Sequence, residues 1–153
     1  MNTIDVNNPT ERFLSEIDIH TLLPQQEPFV MVGQLSHYDS KRTVTKTRLS
    51  ADNLLMNGET FSGAGMIENI AQTCAARIGY HNKYVLQKGV QVGVIGEVKK
   101  LQIVKHPKAG DTITTTVEEQ MQLMGMTLAS ASIEKDGEVL ATAQIKIAVR
   151  GNA

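Results

Sequence analysis

With 153 residues, 41% of them hydrophobic and 20% charged, the chain has material for one hydrophobic core and too little for two. A net charge of −1 excludes a basic surface for nucleic acid or acidic lipid, and three tyrosines and three phenylalanines without a tryptophan make no base-stacking platform. The single cysteine, Cys74, excludes an internal disulfide, and no cysteine–histidine cluster suggests a metal, so neither metal nor cofactor is expected.

Residues 1–15 are polar, without periodicity, and read as a loose tail ahead of one domain over 16–153. They lack the basic start and apolar run of a secretory signal, and no stretch approaches 18 consecutive apolar residues, so no membrane span is expected and the cytoplasm is the expected compartment. A short helix over 16–23 is ended by Pro24 and Pro28. Residues 29–35 are apolar on both faces and predict a buried strand, and 43–49 alternate as a half-exposed strand does. The stretch 50–62, with Asn53, Asn57 and Gly58, reads as a loop.

The spacing then predicts a long helix over 64–80. Ile67, Ile70, Ala71, Cys74 and Ile78 recur at three and four residues on one side, and Glu68, Asn69, Gln72, Thr73 and Arg77 fill the other, expected to be wet. Ala71, Ala75, Ala76 and Gly79 allow close backbone approach, and Gly63 and Gly65 leave the amides at the helix start uncrowded.

Everything after the helix reads as strand. Residues 90–104 contain Gly93 and Gly96, which suggest a bulge or bend there. Pro107 and Gly110 make a turn, and 112–123 alternate with Ile113, Val117 and Met121 in phase. Segments 126–134 and 138–149 flank Asp136-Gly137, a two-residue hairpin signal. One helix covers that much strand only if an antiparallel sheet curls around it. The expected class is therefore α+β, a hot-dog fold with a long central helix wrapped by a curved sheet.

Four stretches, in order, resemble the 3-hydroxyacyl-acyl carrier protein dehydratases across about residues 19–149. They are Leu22-Leu23-Pro24 followed by Pro28-Phe29; the run Gly63 to Gln72, similar to a G-(x)4-E-x-x-A-Q helix; Gly96 with Leu101; and Gly110-Asp111. The resemblance implies an acyl thioester, on acyl carrier protein or coenzyme A, as substrate, in fatty-acid or polyketide-type lipid metabolism. It places the catalytic carboxylate on Glu68 with Gln72 beside it, and an oxyanion-type amide on Gly63. Ala64, Gly65, Asn57 and Asn69 are the further expected substrate contacts.

The family's histidine does not carry over. Its position is Leu54, or Asn57 with a shorter loop, and neither side chain transfers a proton; Gln25 replaces a second histidine of the early motif. His81 lies 13 residues beyond Glu68, about 20 Å along a helix, so only another subunit's copy could reach the site. His20, His37 and His106 read as solvated, and the seven methionines read as core filling before tunnel lining. Three readings follow: a dehydratase-like lyase with weak or altered catalysis; a hot-dog thioesterase using Glu68 to activate water; and a non-catalytic relative that binds acyl chains or pairs with an active homologue. An uncovered sheet edge predicts at least a homodimer with the site at the subunit interface.

Overall fold

The computed structural model describes residues 4–88 and 94–149. In chain order they form α1 (Glu11–Ser15), a 3-10 turn (Ile19–Thr21), β1 (Gln34–Tyr38), β2 (Arg42–Arg48), a small hairpin of β3 (Met56–Asn57) and β4 (Thr60–Phe61), the long helix α2 (Gly63–Tyr80) running into a π-helical turn (His81–Val85), then β5 (Val94–Ile103), β6 (Thr112–Leu123), β7 (Met126–Lys135) and β8 (Glu138–Val149). Six strands make one antiparallel sheet in the order β1-β2-β6-β7-β8-β5. Helix α2 touches β2, β6, β7 and the far-edge strand β5, which requires the sheet to curl round it. This is the hot-dog arrangement. Met66, Ile70 and Cys74 of α2 pack into a core with Ile113, Val117, Ile133, Ala141, Ile145 and Ile147 from the sheet.

The polar side of α2 is not the wet side. Asn69, Gln72, Thr73 and Arg77 are all buried, and each is satisfied by hydrogen bonds. For Asn69, Thr73 and Arg77 the partners include inward-facing threonines: Thr45 meets Thr73 at 2.8 Å, Thr43 accepts from Arg77 at 2.8 Å, Thr47 accepts from Asn69 at 3.3 Å, and Thr115 donates to Asn69. A sheet curled round a helix buries both of its sides, so polar residues remain there only where every donor and acceptor is matched.

The strand expected over 29–35 begins only at Gln34, and Phe29 is 58% exposed. Two side chains of α2 replace a neighbouring strand there. Gln72 accepts from the Met31 N–H at 2.6 Å and donates to the Phe29 carbonyl at 2.9 Å, and Asn69 donates to the Met31 carbonyl at 2.8 Å. The expected loose tail is ordered from Glu11 onward: Thr10 caps α1 and Leu14 is 0% exposed in a second core with Leu22, Leu35 and Tyr80. The loop 50–62 contains the β3–β4 hairpin, turned at Gly58 with φ +64°.

Bulges sit elsewhere than the glycines suggested. Gly96 pairs regularly with Ile147, the irregularity in β5 lies between Lys99 and Gln102 with Lys100 at φ 53°, and Gly93 falls outside the described residues. A second register shift between Glu119 and Met121 breaks the alternation of β6, so Met121 leaves the phase of Ile113 and Val117 and is 54% exposed. The Asp136-Gly137 hairpin is present with φ 50° and 79°, and Met124-Gly125, at 52° and 78°, makes the turn between β6 and β7.

Candidate active site

The start of α2 is built by Ser62. Its hydroxyl accepts from the Gly65 N–H at 3.0 Å and its carbonyl from the Met66 N–H at 2.9 Å. The Gly63 and Ala64 amides, the helix's other first-turn donors, have no hydrogen-bond partner among the described residues. Gly65 does not join them. Its amide serves the cap, and a Cβ there would lie 2.4 Å from the Phe61 ring, so this glycine exists to let the ring pack against the helix.

Glu68, one and a half turns on, is exposed at the surface of α2. Gln72 Nε2 donates to its Oε2 at 3.2 Å while the rest of the Gln72 amide is bound to Phe29 and Met31. Gln72 is thus a buried anchor that orients Glu68.

Glu68 opens onto a groove of about 420 Å³. Ala71, Cys74 and Ala75 of α2 line it on one side and Val98, Ile145 and Ile147 with Gly96 of the sheet on the other, and Pro24 and Gln25 complete the lining. The small residues of α2 are what leave this space open between helix and sheet. Burial pushes the Cys74 thiol up to about 12, so it remains a neutral, apolar-like wall. Such a groove suits a thin apolar chain with a polar group at the Glu68 end.

The other expected contacts lie apart from this groove. Asn69 is fully buried, with both ends of its amide spent on Met31, Thr47 and Thr115, so it holds the fold and is not free to touch a ligand. Asn57 is exposed on the β3–β4 hairpin, and Leu54, at 52% exposure, precedes it. Two histidines make defined contacts. His106 meets the Phe61 carbonyl through Nδ1 at 2.8 Å, beside the start of α2. His81 Nδ1 meets the Tyr38 hydroxyl at 2.8 Å at the opposite end, where burial and the nearby Arg77 hold its ring below the usual histidine range. His20 bridges Asp18 and Glu27, which raise its pKa. Among the described residues no group of three His, Cys, Asp or Glu is placed to hold a metal, and no helix is long and apolar enough to cross a membrane.

Sequence reasoning missed the groove's far wall and the place of Gln25 in it. Ile145 and Ile147 were legible as inward residues of an alternating strand, but not that their strand neighbours the edge facing Glu68.

The chain is similar in sequence and fold to known proteins. The 3-hydroxyacyl-acyl-carrier-protein dehydratase FabZ of Ruminiclostridium cellulolyticum is 26% identical over 144 residues, 89% of this chain and 97% of the relative. A chain of the dehydratase heterocomplex ApeI:P from Xenorhabdus doucetiae superposes with a TM-score of 0.79 at 16% identity, over 89% of this chain and 93% of that one. A hypothetical thioesterase with coenzyme A from Streptococcus pneumoniae shares the fold at a TM-score of 0.57 and 16% identity, over 77% and 85%. The family model of ApeP dehydratases matches residues 17–152, and with that span the chain belongs to the ApeP-like dehydratase family.

Proposed function

We propose that this protein acts on 3-hydroxyacyl thioesters in lipid biosynthesis in the cytoplasm, contributing the carboxylate half of a dehydratase. The observation that carries this reading is Glu68, aimed by the buried Gln72 at the polar end of an otherwise apolar groove. In the reaction a base removes the α-proton, its electron pair forms the C2–C3 double bond, and the C3–O bond breaks as protonated Glu68 delivers its proton to the departing hydroxyl, giving water and the enoyl thioester. The Gly63 and Ala64 amides are suited to polarise the thioester carbonyl as charge develops there.

The base comes from a second subunit, because Leu54 and Asn57 stand at the two positions to which the resemblance assigns the histidine. Assembly runs through β5. The β1 edge is covered by α1, whose Glu11 accepts from Ser36 and Lys46, while β5 is the ten-residue strand at the other edge of the sheet. The partner is another copy or a homologous dehydratase chain; ApeI:P is a heterocomplex, which favours the second. Alone, the chain turns over weakly.

The test follows enoyl product and free thiol from a 3-hydroxyacyl thioester, with and without a homologous dehydratase subunit. Slow enoyl formation that rises on mixing, and that Glu68→Gln abolishes while the melting temperature stays within a few degrees, is expected. Fast enoyl formation by the isolated chain would show that its own residues supply the base. Thiol release without enoyl would replace the reading with a thioesterase. Tight binding without either product in any mixture would leave a non-catalytic acyl binder.

A further inference from the structure

Three of the four histidines are spent or remote. His20 uses both ring nitrogens, on Asp18 and Glu27, at 2.7 and 2.9 Å. His37 uses Nε2 on Asp39 at 2.7 Å, and His81 sits at the end of α2 opposite its free amides. His106 differs from all of them. Its Nδ1 lies 2.8 Å from the Phe61 carbonyl, and a carbonyl only accepts, so Nδ1 carries the hydrogen of the neutral ring. The lone pair is then on Nε2, which has no partner among the described residues, and the side chain is exposed.

The turn that carries His106 is fixed to the segment leading into α2. Phe61 N–H donates to the Pro107 carbonyl at 2.8 Å, Ala109 N–H to the Glu59 carbonyl at 2.9 Å, and Lys108 N–H to the Asp111 carboxylate at 2.8 Å. Phe61 precedes Gly63 by two residues, so backbone bond lengths keep the His106 ring within about 10 Å of the Gly63 N–H. An α-carbon is bonded directly to the thioester carbonyl that this N–H and that of Ala64 are suited to polarise. A base for the α-proton therefore belongs in this neighbourhood, and Glu68 serves the hydroxyl two carbons from the carbonyl.

The strand proposed for assembly also leads here. His106 follows the end of β5 by three residues, whereas Gly96 and Val98, in the first half of β5, line the groove onto which Glu68 opens. Two copies joined edge to edge about a two-fold axis run their β5 strands antiparallel, which sets the end of one beside the start of the other. We propose that His106 Nε2 of one chain is the base for the site whose carboxylate is Glu68 of a second copy. Nε2 takes the α-proton, the C–H electron pair forms the C2–C3 double bond, and the C3–O bond breaks as the Glu68 proton leaves with the hydroxyl in water. The imidazolium proton then returns to the Glu68 carboxylate through solvent. This rests on the dehydratase reading above and names the base of the chain acting without a homologous subunit. Because His106 is exposed, it works against water rather than in a closed site, and turnover is slow.

The experiment follows enoyl formation from 3-hydroxyhexanoyl-pantetheine by the full chain; pantetheine is the arm that coenzyme A and acyl carrier protein share. His106→Asn keeps a donor for the Phe61 carbonyl and removes Nε2, and is expected to lower the rate about a hundredfold. Binding of hexanoyl-pantetheine, which has no hydroxyl to lose, is expected to change less than about twofold. Glu59→Gln, on the same hairpin, is expected to keep the parent rate. A mixed dimer of His106→Asn and Glu68→Gln chains, purified through two different tags, has one site with both groups intact and recovers about half the parent rate. Parent-like turnover by His106→Asn overturns the proposal, as does loss of turnover in Glu59→Gln. A silent mixed dimer overturns the placing of base and carboxylate on different chains. Enoyl formed only with a homologous subunit overturns His106 and leaves the dehydratase reading standing, whereas no enoyl in any mixture refutes that reading itself. His106→Gln takes the place of His106→Asn if the latter fails to fold.

Discussion

Gln72 carries two tasks through one amide, and replacing it by leucine separates them. The substitution keeps the approximate volume and removes the acceptor for the Met31 N–H, the donor to the Phe29 carbonyl and the donor to Glu68. A buried backbone group without its partner costs about 1–3 kcal/mol. Met31 is buried and bears that cost in full, whereas exposed Phe29 allows water to reach its carbonyl and sits at the low end. The expected loss is about 2–4 kcal/mol, or roughly 5–15 °C in melting temperature for a domain of this size. Glu68, freed from its 3.2 Å contact, loses orientation, so kcat falls more than KM rises. Gln72→Glu is the control: it keeps an acceptor for Met31 but sets a second carboxylate beside Glu68, and is expected to be the more stable variant and equally poor as a catalyst. Thermal melts with steady-state kinetics of the assembled enzyme decide. A Gln72→Leu protein melting within 2 °C of the parent would mean that segment 29–31 is held by something other than this amide.

Gly79→Ala is expected to destabilise by at least about 2 kcal/mol and to displace the segment carrying Gln25, because the Leu22 backbone cannot yield as a flexible side chain would. Melts of this variant beside Ala76→Gly, read with hexanoyl-pantetheine binding, check both effects, and a stable, binding-competent Gly79→Ala protein would contradict the close contact. Burial raises the pKa of Asp39, but hydrogen bonds from His37 and from the Lys41 and Arg42 amides outweigh it and hold the carboxyl at about 2. Its folded value lies below its unfolded one, so its contribution is present above about pH 4 and lost as the pH falls toward 2. Melting curves from pH 5 to 2.5 are therefore expected to decline more steeply for the parent than for Asp39→Ala, and parallel declines would remove Asp39 from the acid-sensitive groups.

What the sequence determined by itself was the long helix, the succession of strands after it, and the spacing that sets Glu68 one turn from Gln72. A proline-free run with apolar residues at three and four, a clean period of two over 138–149, and Asp136-Gly137 are local signals, written in neighbouring residues and therefore legible. Glu68 was legible through the motif around it, and its tie to Gln72 through their spacing of four. What only the tertiary structure decided was which polar residues are spent. Asn69 and Gln72 both sit on α2 and look alike in the sequence, yet Asn69 is consumed by Thr47, Thr115 and Met31, whereas Gln72 still reaches Glu68. The same holds for the strand expected over 29–35, whose first residues bond to side chains 38 to 43 positions away, and for Met121, turned outward by a one-residue bulge. Gln25 makes the same point: its type and spacing do not tell that its side-chain oxygen is buried without a hydrogen-bond partner among the described residues. Hydrogen-bond satisfaction is a property of the folded neighbourhood, assembled from residues far apart in the chain, and no local pattern encodes it.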